Sequence, residues 1–526
     1  MMESSKLTIL GQDIDEYLRC PYRLIKCKKE GIKPSEYLES EYVQEVLIKE
    51  GIKFEEDILS KIEWEKTKEP LDKLVKKRCI IKHPYLEIKG SEIRSDVPDC
   101  FSEIKLIGVP DIILPDEKQF YPVPLDIKSH QQVTKIDRYR ISFYSILLNA
   151  KFKTPISKGL ILTKNGIVEI DTSKYFRHIL WMVQEVYNAI NGIYSIRPQR
   201  SNECRICSLW EDCLADLKKR KDTTLIYNIG PKTADKLKNE GINTIDDLLC
   251  QDKYRLFKLR ARSLIDNKII KISDLKIPDG NRIFFDIETE GGANEKVWLI
   301  GYSYQNKFEQ LYADSWKQGK KIVKDFLSFL ESVDTPKLVS CSCMNFDWNV
   351  ISYVLKKYKL NERFFQNIPH YDLGSYLRRS YILPIMSYKV KDMGNFLGYP
   401  FKHDDLNGLE VAMAYLDHLK TGKPLSQEYF EYNKDDVMVL PHIIDQLNTR
   451  RDIVVEILDK SDIGLSDGFG IPWSQREFEI LKEKYPTYGS NIEELINNGR
   501  SKYSIRAKAR DMKIRCLFRG PKKKTK

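Results

Sequence analysis

Two periods of hydrophobicity alternate along this chain. RIFFDIET (282–289) is an apolar run around two acids spaced two apart, as in a buried strand, and LIGVPDIIL (106–114) and YPVPLDIKS (121–129) read similarly. DIDEYLRCPYRLIKCKKEG (13–31) and IDRYRISFYSILLNA (136–150) repeat their apolar residues at helical spacing instead. KGLILTKNGIVEID (158–171) is two strand-like runs about an Asn-Gly pair, which predicts a hairpin. Together these patterns predict a multidomain α/β chain in four segments. Residues 1–218 are mixed, 219–275 small and helical, 276–450 a three-layer α/β domain, and 466–526 a short helical module.

At 526 residues, with 42% hydrophobic and 31% charged side chains, the chain is long enough for several cores. It has no apolar run near the ~20 residues of a membrane helix, and MMESSKLTIL lacks the apolar centre of a signal peptide. The expected setting is cytoplasmic and nucleoid-associated, without a membrane partner. There, the 11 cysteines point to metal binding before disulfides. The net charge of +11 lies entirely beyond residue 499, where twelve Lys/Arg face the single acid Asp511. A basic end on a neutral body predicts contact with nucleic acid.

Two acidic constellations carry candidate chemistry. GVPDIIL places Asp111 late in a predicted strand. LDIKSH puts Asp126 and Lys128 two apart, hence on one face, and the helical EGIKFEEDIL offers Glu55. Carboxylates gripping a divalent cation beside a lysine suit phosphodiester hydrolysis. Later, Asp286 and Glu288 share a strand face, NFDWNVI adds Asp347, and YNKDDVMVL adds Asp436 with Tyr432 one helical turn earlier. Asp435 is the rival to Asp436, which is preferred for its four-residue spacing from the tyrosine. Four carboxylates with a tyrosine to place the attacking water make a two-metal exonuclease site, with Mg2+ or Mn2+ as the ions.

A third group, NECRICSLWEDC, holds Cys204, Cys207 and Cys213, one ligand short of a closed metal site. With these cysteines behind the first acidic set, residues 1–218 resemble the RecB-like branch of the P-D-(D/E)-x-K nucleases. The resemblance implies a restriction-endonuclease-like core and a cysteine before it that joins three behind it around an iron–sulfur cluster. In LRCPYRL that cysteine is Cys20, with Cys27 the competitor. The implied cofactor is a [4Fe–4S] cluster, with zinc the alternative that thiolates serve equally. Two positions depart from the family: Glu55 stands where relatives often have His, and Arg140 precedes Tyr144 where they often have Gln. Residues 276–450 resemble the DnaQ-like DEDD exonucleases of the RNase H-like superfamily, in the subgroup with tyrosine in the last motif.

Two further stretches resemble DNA-holding modules. LIYNIGPKTADKLKNEGINTIDDLL resembles a helix-hairpin-helix, with Ile229 and Gly230 at its turn and Lys232 beside a phosphate-binding helix start. The C-terminal stretch resembles a Myb/SANT-like helix-turn-helix. Trp473, Phe478 and Leu481 would pack its core, and its last helix would present Arg500, Lys502, Arg506, Lys508 and Arg510. The expected protein is a metal-dependent DNA nuclease with two catalytic centres, acting on single-stranded or frayed ends in repair, recombination or defence, with a helicase or repair protein as partner. Other readings are a nucleic-acid-binding scaffold with degenerate centres, or an exonuclease directed at RNA.

Overall fold

The computed structural model describes residues 7–37, 51–62, 71–93, 97–115, 121–274, 276–290, 296–341, 346–459, 475–492, 502–512 and 514–516. The chain divides into two compact units, residues 1–224 and 225–526.

In the first unit, the helical pattern of 13–31 breaks into helices Gly11–Arg19 and Pro21–Glu30. The break is Cys20, extended at φ −153° and ψ 98°, because the ring of Pro21 disfavours helical backbone before it. The strands are β1 (Leu7–Leu10), β2 (Ile81–Lys82), β3 (Leu86–Lys89), β4 (Ile104–Gly108), β5 (Ile112–Pro115), β6 (Pro122–Ile127), β7 (Lys158–Thr163) and β8 (Gly166–Asp171). They form a five-stranded sheet in the order β2-β5-β6-β7-β8 and a three-stranded sheet in the order β1-β4-β3. All of β6 is buried, between antiparallel β5 and parallel β7. The parallel step from β6 to β7 runs through helix Lys135–Phe152. That helix starts at a capping box: Thr134 N–H donates to Asp137 (2.7 Å), and Asp137 N–H donates to the Thr134 hydroxyl (3.2 Å). It lies so close to β4 that a Cβ on Gly108 would come 2.7 Å from Leu147 and 2.8 Å from Tyr144.

Asp111 is not late in a strand, as its apolar surroundings predict. Strand β4 ends at Gly108, and Asp111 lies in the bend before β5, next to Pro110, which has no N–H to donate to a ladder. The hairpin of 158–171 forms as β7 and β8, with Thr163 opposite Gly166 and the two-residue turn on Lys164 and Asn165.

The second unit's strands begin with the short β9 (Ile270–Lys271) and continue as β10 (Arg282–Thr289), β11 (Val297–Tyr304), β12 (Lys307–Tyr312), β13 (Lys337–Ser340) and β14 (His370–Asp372). The last five make a sheet in the order β12-β11-β10-β13-β14. In it β10, β11 and β12 form an antiparallel meander, and β13 and β14 run parallel to β10. Helices cover both faces. On one side Phe285, Phe326, Val350 and Tyr415 form a core in which Trp298 stacks on Tyr415 at 4.3 Å. On the other, Phe284 packs against a core of Val339, Leu377, Met393 and Ile443. This is the three-layer arrangement that alternating strands and helices predict.

Between the acidic constellations, helices Pro231–Asn239 and Ile245–Leu249 bury Leu237, Ile245 and Leu248 beside Ile229. Gly230 caps the first of them and Lys232 is exposed. Near the C-terminus, helices Gln475–Tyr488 and Lys502–Asp511 enclose Leu481, Ile492, Ile505 and Ala509. Lys502, Arg506 and Arg510 are exposed, whereas the Lys508 ammonium lies 5.1 Å from the ring centre of Phe478. Trp473 and Arg500 fall outside the described residues. Among the described residues no helix is long and apolar enough to cross a membrane.

The tightest constraint in the second unit is Gly301 on β11. A Cβ there would sit 2.2 Å from Asn433 Oδ1 and 3.1 Å from Val437 Cγ2, both on helix Gln427–Thr449. Gly301→Ala is expected to cost about 1–3 kcal/mol through overpacking and to lower Tm. Adding Asn433→Ala is expected to return part of that loss. An unchanged Tm in the single variant, measured by calorimetry, would contradict the packing described.

Candidate functional site

The second unit builds its acidic group from three elements. Strand period puts Asp286 and Glu288 on one face of β10. Helical period puts Tyr432 and Asp436 on one face of helix Gln427–Thr449, and Asp347 lies in the first turn of helix Phe346–Lys357. Carboxylate oxygens of Asp286, Glu288 and Asp436 all come within 4.8 Å of one another. Asp347, only 2% exposed, stands outside that triad yet near enough to act electrostatically on Asp286 and Glu288. Asp435 points elsewhere, accepting hydrogen bonds from Lys402 N–H (2.8 Å) and the Tyr399 hydroxyl (3.2 Å).

Burial pushes the Asp286 and Glu288 carboxyls well above their ordinary range, and the neighbouring carboxylates add to it. Asp436 is pushed up to about 7 by burial, against an opposing hydrogen bond from the Tyr432 hydroxyl and the charge of Lys391. The Tyr432 hydroxyl is itself pushed up by burial and by the surrounding acids, so it stays a proton donor. The Lys391 ammonium lies 5.1 Å from the Tyr432 ring centre while donating to the carbonyls of His403 (3.0 Å) and Asp404 (2.9 Å). Such a group is unfavourable alone and becomes favourable around divalent cations.

Asn433 joins this group without any sign in the sequence patterns. It is fully buried, its Nδ2 donates to Asp286 Oδ2 (2.9 Å), and its Oδ1 accepts from Gln310 Nε2 (2.9 Å). Gln310 also donates to the Phe430 carbonyl (2.9 Å), which fixes the direction of the chain of amides. Asn433 therefore supplies the donor that steadies an ionised Asp286 in a buried place. A polar residue one position after Tyr432 on a helix gives no hint of this, because the contact depends on the bare backbone of Gly301.

The first unit holds the other group. Asp126 is 1% exposed and pairs with the Lys128 ammonium at 2.8 Å. Asp111 Oδ2 accepts from Ile127 N–H at 2.6 Å, and its carboxyl is pushed up to about 7 by burial and then by Asp126. Burial works to lower Lys128, but Asp126 and Asp111 outweigh it and hold the ammonium above its ordinary value. Residues 51–59 are helical and place half-buried Glu55 beside this group, whereas Glu56 is exposed. Oxygens of Glu55 and Asp111 lie within 4.8 Å of each other and of a ring nitrogen of His83, a residue the sequence patterns do not single out. Arg140 does not stand free where relatives have glutamine: it pairs with Asp15, and Tyr144 neighbours Asp126.

The four cysteines come together. Burial pushes Cys213 up to about 12, with Cys20, Cys204 and Cys207 adding to it, and Cys20 up to about 11, with Cys204 adding. Cys20 accepts from Arg23 N–H and Cys204 from Ser201 N–H, both at 3.4 Å. Buried Arg23, held by Glu16, reaches Cys207. Cys27 is pushed up to about 11 by burial and then by Glu16.

Residues 283–448 match the family RNase_H_2 of the RNase H superfamily, so the second unit contains an RNase H-like domain, a nuclease-type fold. Members of that superfamily generally hydrolyse nucleic acids with the help of metal ions, and the acidic group lies within the matched residues. No curated protein matches the chain. Among solved structures, one titled "Crystal structure of SSO0001" aligns at 16% identity over 41% of this chain and 88% of that one, with a TM-score of 0.23.

Carboxyls raised in the fold bind protons that the unfolded chain has already released. Stability they contribute is therefore present below the unfolded value near 3.8 and lost as pH climbs through about 7. Metal-free protein is expected to show a falling Tm between those limits and a recovery on adding Mn2+. Asn433→Asp is expected to steepen the fall. A metal-free Tm that rises over that range would contradict the electrostatics described.

Proposed function

We propose that the protein is a metal-dependent DNA nuclease with a catalytic centre in each unit. The observation that carries this reading is the convergence of Asp286, Glu288 and Asp436, with Asp347 beside them, inside residues that match the RNase H superfamily. Divalent cations bound there supply Lewis acidity to the phosphate and a more acidic water. Asp286, Glu288, Asp347 and Asp436 would hold those cations, Asn433 favours the ionised form of Asp286 and aims it, and the Tyr432 hydroxyl would orient the attacking water. The DnaQ-like pattern makes this centre an exonuclease.

In the first unit Glu55, Asp111 and Asp126 hold a cation, and Lys128 faces the scissile phosphate. Cys20, Cys204, Cys207 and Cys213 bind a [4Fe–4S] cluster that ties helix Pro21–Glu30 to the segment behind the core. Its support is the mutual nearness of these thiols. Nucleic-acid binding is supported by the exposed Lys502, Arg506 and Arg510 of the C-terminal helix and by Lys232 at the start of helix Pro231–Asn239, and the choice of DNA rests on the RecB-like resemblance of the first unit. Both basic groups suit backbone phosphates.

Purified protein with Mg2+ or Mn2+ is expected to degrade end-labelled single-stranded DNA faster than duplex DNA or RNA. Asp126→Ala and Asp286→Ala should each remove a different part of the product pattern, and the double variant all of it. If neither change alters any product, the two-centre reading is wrong; RNA cleaved in preference to DNA would reassign the substrate. Anaerobically purified protein is expected to be brown and to carry about four iron atoms, both lost with Cys204→Ser. Stoichiometric zinc in colourless protein would replace the cluster.

A further inference from the structure

The register of the first unit's sheet brings an imidazole to its acidic group. Antiparallel pairing of β2 with β5 sets Ile81 opposite Ile113 and Lys82 opposite Ile112. One step further along, His83 stands opposite Asp111, and its N–H donates to the Asp111 carbonyl at 3.0 Å. His83 takes a left-handed backbone (φ 45°), which an L-residue adopts only where its surroundings hold it. Glu55 arrives from the third side. Its helix is anchored by Phe54, Ile58 and Leu59 against Ile112, Leu125 and Ile127, and the Lys82 ammonium donates to the Leu59 carbonyl.

The three side chains bring two carboxylates and one imidazole within 4.8 Å of one another. Ile127 N–H donates to Oδ2 of Asp111 at 2.6 Å and so fixes the orientation of that carboxylate. His83 Nε2 lies 3.7 Å from Glu55 Oε1, too long for a good hydrogen bond and suited to two ligands of one ion. Asp126, paired with Lys128 at 2.8 Å, is the remaining carboxylate of this centre and lies outside the trio.

We propose that His83 completes a Glu55–His83–Asp111 ligand set, at which the first unit takes a transition-metal ion of the Mn2+ kind in preference to Mg2+. Imidazole nitrogen suits first-row transition metals, whereas Mg2+ keeps to oxygen donors and its own waters. The second unit's group, Asp286, Glu288 and Asp436, offers oxygen alone and accommodates Mg2+. The two groups of one chain thus differ in the metal they select. The inference rests on reading the first unit's acidic group as a metal centre.

The competing arrangement is a protonated His83 in a surface ion pair with Glu55, and pulsed EPR separates the two. Full-length protein carrying Asp286→Asn and Asp436→Asn, which silence the second group, is freed of metal and titrated with Mn2+. Bound Mn2+ is expected to show nitrogen-14 modulation from one imidazole and to be displaced poorly by Mg2+. In the same background, His83→Gln should abolish the modulation and raise half-saturating Mn2+ at least about tenfold, the scale on which even outer ligand partners act. Asp111→Asn should remove the bound ion. His83 is half exposed, so its substitution leaves the core intact, which a melting curve checks. The proposal is overturned by bound Mn2+ without nitrogen modulation, by modulation that survives His83→Gln, or by no Mn2+ binding. If any of these occurs while Asp126→Ala still removes cleavage products, His83 is no ligand and the nuclease reading stands. If Asp126→Ala removes none, the first centre itself is lost.

Discussion

Like-charged carboxylates buried side by side repel one another, and each also forfeits its hydration. The second unit nevertheless drives three of them within 4.8 Å on a strand and a helix that have no freedom to separate. Pleat fixes Asp286 and Glu288 on one side of β10, and helical period aims Tyr432 and Asp436 back at them. The approach of helix to sheet is set by Gly301, where any side chain would strike Asn433. A fold that pays this much in repulsion has a use for the concentrated negative charge, and a divalent cation is the partner that turns the cost into binding.

The same logic runs at lower intensity in the first unit. There, Asp126 has its own ammonium at 2.8 Å, Asp111 is steadied by a backbone donor, and an imidazole stands with two half-buried carboxylates in the trio. Charge is distributed among unlike groups, so this group is tolerable without a cation, and as the proposed metal centre it would be the more selective of the two about which one it accepts. The cysteines extend this economy of long-range ties. Cys20 sits at the joint between two helices, forced open by Pro21, and meets three thiols that follow it by 184 residues or more.

Legibility in the sequence followed the range of the interaction. Contacts set by a single element were plain: two acids at strand spacing, a tyrosine and an acid at helical spacing, and a hairpin at KNG. Even the choice between Asp435 and Asp436 was readable, since only one of them shares a helix face with Tyr432. What was not legible depended on how separate elements register against each other. His83 meets Asp111 because β2 pairs with β5 in one register and no other. Asn433 reaches Asp286 because Gly301 lies beneath it. Asp111 looked like a strand residue because its neighbours are apolar, yet the bend beside Pro110 takes it out of the ladder.

In the function proposed, the buried carboxylates of the second unit hold divalent cations. Anomalous diffraction from crystals of the full chain soaked in Mn2+ tests it most directly. A manganese peak bounded by Asp286, Glu288 and Asp436 is the expected result. A group that stays ion-free at saturating Mn2+, its acids protonated and hydrogen-bonded to one another, would contradict it.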